Sequence, residues 1–282
     1  MIIKKMREMD RSFLEQQIRR IDFPLPIHPM KRSLLGFAIL SLLAPPLQAQ
    51  PVEIPLGSRK VVFQKLDSPI RREGPLLISL HANEATSVKA AKSLLPSYAG
   101  TLVVIEAGGQ RRIPLKDGSN RVTIDPNRVF SLAGVKRDMD RFSIFLEAEA
   151  KQCAAFGEKI VATFGITKER PVIALHNNTN GGYSIDSYLD GGSEAAAAAR
   201  VTRAPSDPDN FFLVTHPKLF DDLVKAGFSV VLQDNENAPD DGSLSVYCGR
   251  RGIIYVNVET QHGAEAEQKR MLEAVMELLG TR

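Results

Sequence analysis

Three apolar runs in this chain end abruptly in a residue that can bind a metal or move a proton, and no other feature restricts the fold as much. PLLISL (75–80) runs into His81-Ala82-Asn83-Glu84, VIAL (172–175) into His176-Asn177-Asn178, and IIYVNV (253–258) into Glu259-Thr260-Gln261-His262. Runs of this length read as buried strands. Further short apolar runs at 60–64, 102–106, 211–214 and 230–233 predict four more strands. Between them, amphipathic or alanine-rich stretches at 86–95, 139–164, 217–226 and 264–279 predict helices. In the last of these, Met271, Leu272, Val275, Met276 and Leu279 recur at helical spacing, which reads as core filling. Strands alternating with helices predict an α/β sheet with helices on both faces. Ligands bind such sheets beyond the carboxyl ends of their strands, which is where the three polar groups are expected.

The amino-terminal segment has a different character. From Met30 the chain reads MKRSLLGFAILSLLAPPLQAQ. Its basic start, short apolar stretch, proline break and small residue at Ala49 have the form of a secretory signal peptide. Residues 30–49 are therefore expected to be a signal peptide and residues 1–29 an upstream mis-annotation, with a catalytic domain over 50–282 and a periplasmic or secreted location. The membrane would be met only through an uncleaved signal. Residues 1–49 hold eight of the 36 Lys and Arg but four of the 33 Asp and Glu, so the formal charge of +3 becomes near-neutral in the remainder. A neutral body supplies no polyelectrolyte attraction for nucleic acid, and Gly108-Gly109 lacks the other glycines of a dinucleotide-binding turn. The two cysteines, Cys153 and Cys248, are open to two readings: a disulfide, or two buried thiols.

Two imidazoles and a carboxylate form the ligand set of a catalytic zinc site with an open water position, and a fourth group such as Glu259 would take the water's proton. In Asp125-Pro126-Asn127-Arg128 the proline makes a turn. The arginine there has two readings, a fork for a substrate carboxylate or a structural partner of Asp125.

In order, His81-x-x-Glu84, Asn127-Arg128, His176 and Glu259 resemble the pattern of the zinc carboxypeptidases. The 95 residues from His81 to His176 are similar to the spacing of the succinylglutamate desuccinylase and aspartoacylase branch. The resemblance implies a mixed, largely parallel central sheet and one Zn²⁺ held by His81, Glu84 and His176. It further implies Glu259 as general base and Asn127 and Arg128 on the substrate carboxylate. Arg121 is the expected group for the scissile carbonyl, with Arg111 and Arg112 as competitors, and Tyr247 the expected tyrosine near the substrate. Pro126 stands where the pattern has leucine, and two asparagines follow His176. The expected reaction is hydrolysis of an amide in a carboxylate-bearing peptide such as a cell-wall muropeptide, or in a small N-acyl amino acid. The expectation of a different class is a non-catalytic, zinc-holding peptide-binding or sensor module. His216 and His262 are read as loop histidines with access to the same edge.

Overall fold

The computed structural model describes residues 47–116 and 119–282. The upstream segment and all but residues 47–49 of the expected signal peptide lie outside the described residues. Among those described, no helix is long and apolar enough to cross a membrane.

Eleven strands and six α-helices follow one another among the described residues. The strands are β1 (Gln50–Leu56), β2 (Arg59–Asp67), β3 (Leu76–Ser79), β4 (Thr101–Glu106), β5 (Ile113–Lys116), β6 (Ser119–Ile124), β7 (Val172–Asn178), β8 (Ala198–Thr202), β9 (Phe211–Val214), β10 (Val230–Gln233) and β11 (Tyr255–Gln261). The helices are α1 (Ala85–Leu94), α2 (Leu132–Phe142), α3 (Glu147–Phe164), α4 (Pro217–Lys225), α5 (Leu244–Arg250) and α6 (Glu265–Leu278). Nine strands make one sheet in the order β1-β2-β4-β3-β7-β11-β9-β10-β8, and β5 and β6 pair separately. The central block β4-β3-β7-β11 is parallel, whereas β9 runs antiparallel to β11. This is a mixed sheet, largely parallel at its centre, as the sequence led us to expect.

Each central strand buries both faces, which explains the near-continuous apolar runs. Leu76 and Ile78 of β3 and Phe211 and Leu213 of β9 pack with α2, α3 and α5 through Val135, Met139, Phe156, Ile160 and Leu244. The alternate residues Leu77, Phe212 and Val214 meet α1, α4 and α6 through Ala91, Leu94, Phe220, Met271 and Met276. The methionines are core filling, and Cys153 and Cys248 are separate buried thiols.

The helix predicted over 139–164 is in fact two. α2 starts on Ser131, whose side chain accepts the Gly134 N–H, and ends at Phe142, leaving Phe142, Ile144 and Phe145 exposed before α3 begins. A short 3-10 turn at Ala195–Ala197 leads into edge strand β8. Cys248 lies in α5, which is capped by Ser243. α2 approaches the loop before α5 very closely. A Cβ on Gly134 would lie 2.1 Å from the Cα of Gly242, itself at φ +74°, so only glycines fit at this contact. The same loop accepts the Phe130 N–H at Gly242 O, 3.0 Å away, fixing the turn that carries Asn127 and Arg128.

Candidate metal and hydrolase site

β3 ends at Ser79, and the chain then turns so that the Glu84 N–H donates to the His81 carbonyl at 3.2 Å. Glu84 is the N-cap residue of α1, but its side chain makes no hydrogen bond to that helix. β7 neighbours β3 and continues beyond its expected end, so His176 lies within the strand, not after it. β11 likewise continues through Glu259, which is in register with His176.

Three donors converge as a result. His81 Nδ1 lies 3.3 Å from His176 Nδ1. Glu84 reaches both rings, Oε1 at 2.9 Å from His81 Nδ1 and Oε2 at 3.0 Å from His176 Nδ1. All three residues are buried, and their ligand atoms lie within 4.8 Å of one another. Nitrogens bound tetrahedrally at zinc's usual distance stand about 3.3 Å apart. The donor set and its spacing therefore fit a divalent, nitrogen-preferring ion, while calcium and magnesium favour all-oxygen sites.

Behind the cluster, His81 Nε2–H donates to Asp125 Oδ1 at 2.8 Å, which turns its other nitrogen toward Glu84 and His176. Asp125 also accepts the Asn127 N–H at 2.8 Å and faces Arg111 Nε at 3.2 Å. Arg111 in turn donates to Glu84 Oε1 at 2.9 Å. The sequence showed Asp125 only as a partner for arginine. Its reach to His81, 44 residues away, needed the fold.

A cavity of about 550 Å³ opens over the cluster and is lined by Arg111, Asn127, Arg128, Tyr183, Glu259 and His262, among others. Asn127 Oδ1 accepts the Leu244 N–H at 3.0 Å, so its amide is oriented by the start of α5. Arg128 lies 3.5 Å from Asp241, and both line the cavity. Arg121 is exposed on β6 and is not among the lining residues, whereas Arg111 is. Tyr247 is directed elsewhere: its ring packs 5.9 Å from Phe130 and beneath the Arg251 guanidinium. The tyrosines on the cavity are Tyr183, Tyr188 and Tyr255; the first two are hydrogen-bonded to each other, and their position in an irregular segment left no periodic signal. His216 precedes α4 at the end of β9, and since β9 opposes β11 it emerges at the other edge of the sheet. His262 is exposed at the cavity rim.

Burial, and then the charge of Glu84, push the Glu259 carboxyl up to about 8. Burial disfavours charge on His81, yet Asp125 and Glu84 outweigh it and lift the imidazole to about 9. Burial alone would raise Glu84 and Asp125, but the histidines beside them hold both well below the carboxylate range. Between pH 7 and 9 the folded, metal-free protein thus retains protons on Glu259 and His81 that the unfolded chain, with ordinary values of 4.5 and 6.5, has released. Stability must fall as pH rises through this window. The urea midpoint of chelator-treated protein is expected to be lower at pH 9 than at pH 7; an equal or higher midpoint would contradict these proton sites. Metal uptake in the same window should release protons and strengthen with pH.

No family model matches this chain, and no curated protein matches it either. Solved structures do. A succinylglutamate desuccinylase/aspartoacylase from Rhodobacter sphaeroides aligns over 83% of this chain at 15% identity with a TM-score of 0.41, and the alignment spans 65% of that protein. An aspartoacylase family protein from Mesorhizobium loti aligns over 86% of this chain and 70% of its own, at 17% identity and a TM-score of 0.42. The murein-tripeptide amidase of Escherichia coli O157 aligns over 83% of this chain and 92% of its own, at 16% identity and a TM-score of 0.44.

Proposed function

We propose that the protein is a zinc-dependent amide hydrolase acting on a peptide or N-acyl amino acid with a free carboxylate. The observation that carries this reading is the convergence of His81, Glu84 and His176 with a fourth, separate carboxylate, Glu259, on the adjacent strand. A purely structural zinc site needs four protein ligands and no base; three ligands beside an acid that makes no ion pair among the described residues leave a place for water.

Zinc bound by His81, Glu84 and His176 would act as a Lewis acid on water and on the substrate carbonyl. Asp125 holds His81 in the tautomer that leaves Nδ1 for the ion. Glu259 takes the proton from the attacking water, whose oxygen joins the acyl carbon. It then hands that proton to the amide nitrogen as the C–N bond breaks, leaving a carboxylic acid and an amine. Arg111, anchored by Asp125 and Glu84, is the group we assign to the developing oxyanion in place of Arg121. Arg128 and the Asn127 amide hold the substrate carboxylate, with Arg128 exchanging Asp241 for it.

Export through residues 30–49 is part of this proposal, and it would place muropeptides, whose stem peptides carry free carboxylates, within reach. The test is hydrolysis by the zinc-loaded full chain of a panel of free-carboxylate tripeptides, including a muropeptide stem, and N-acyl amino acids, against the same amides with the carboxylate blocked. Cleavage restricted to the free acids is expected. A zinc-replete protein that cleaves none of them would instead favour the binding or sensor module.

A further inference from the structure

Among the described residues, two buried side-chain acceptors have no hydrogen-bond partner: Asn178 Oδ1 and Asn257 Oδ1. Both residues line the cavity over the histidine cluster. They stand two residues from the paired positions His176 and Glu259, on the same strand faces. Asn178 has a visible structural task, since its Nδ2 donates to the Asp209 carbonyl at 2.6 Å and ties β7 to the loop before β9.

Asn257 has no such task. It lies on the central strand β11, flanked in register by Ala174 of β7 and Leu213 of β9. A β-branched or aliphatic side chain would suit a central strand better and would leave no buried acceptor without a partner. The one hydrogen bond of its side chain runs from Nδ2 to Glu259 Oε2, at 3.2 Å. Glu259 is itself buried, makes no ion pair among the described residues, and has no other side-chain donor. A lysine or arginine in this position would also orient the carboxylate, but its charge would hold Glu259 as a weak base. A neutral amide fixes one oxygen and leaves the other free.

We propose that Asn257 is a positioning residue for Glu259, aiming the carboxylate across the cavity through a single neutral N–H donor. The inference rests on the reading of Glu259 as the base of an amide hydrolase.

The experiment compares Asn257→Val with Asn257→Thr in the zinc-loaded full chain, since these replacements share a shape and differ in a hydroxyl donor. The amide used is the one that the wild type cleaves fastest among the tripeptides and N-acyl amino acids above. Asn257→Val should hold the same zinc, keep its KM and lose about tenfold or more in kcat. Asn257→Thr should recover part of that loss. A valine variant with wild-type kcat, or with its whole loss in KM or zinc content, overturns the proposal. A wild type inert toward every amide overturns the reading of the site, and this inference with it.

Discussion

Glu259→Gln keeps its zinc and loses its turnover. Glutamine retains the size of the side chain and can still meet Asn257 through its carbonyl oxygen, so the wall formed by β7 and β11 is undisturbed. Glu259 is not one of the three converging donors, and metal content should stay at the wild-type level. What disappears is the only group in that position able to accept a proton. General-base catalysis is worth about 10²–10⁴-fold, and kcat should fall by at least the lower figure with KM little changed. The variant also relieves burial of an ionisable group, so its metal-free form should lose the part of the pH 7 to 9 destabilisation that comes from Glu259. Metal analysis beside steady-state kinetics on one preparation decides the matter. Full activity in Glu259→Gln would remove Glu259 from the mechanism.

The second large effect is loss of metal from His176→Ala. His176 supplies one of two imidazoles and one of the two histidine contacts that hold the Glu84 carboxylate. Without it, Glu84 remains buried beside His81 and Arg111 but the ion has only two protein donors. Zinc retained through gel filtration should drop from about one per chain toward zero, and hydrolysis should vanish with it. A bound ion stabilises the folded state by its own binding free energy. The melting point of the variant in excess zinc should therefore coincide with that of chelator-treated protein and not with the loaded wild type. Asp125→Asn gives an intermediate case, because it disturbs only the orientation of His81; weakening of about 10–100-fold is usual for such a partner. If His176→Ala binds zinc as tightly as wild type, the ligand set is wrong.

Much of the fold could be read from the sequence because the parallel block is doubly buried. β3, β7 and β11 show as apolar runs, and the polar residue that ends each run marks where the sheet opens. His81 and His176 were therefore recognisable as neighbours once β3 and β7 were taken to be parallel. Other elements were hidden for specific physical reasons. β8 is an exposed edge strand with alanines and no apolar alternation. The break between α2 and α3 falls in Phe142-Ser143-Ile144-Phe145-Leu146, which is apolar enough to be mistaken for helix interior. Tyr247 was misleading because α5 turns its ring toward Phe130. Choosing between Arg111 and Arg121 required knowing which one lines the cavity, a fact of the β5–β6 pairing and not of spacing along the chain. Asn257 was concealed inside the very run that identified its strand.

The register that brings His176 opposite Glu259 also bears on how the protein comes apart. His81 and His176 are 95 residues apart, and the parallel pairings that join their strands close long loops before any contact rewards them. An ion held by residues from both strands belongs to the finished structure far more than to the barrier leading to it. Its effect should thus fall on the lifetime of the folded state and hardly at all on the speed of reaching it. If the chain is exported, as proposed above, to a compartment with proteases and shifting pH, the metal would serve there as a lock as well as a reagent.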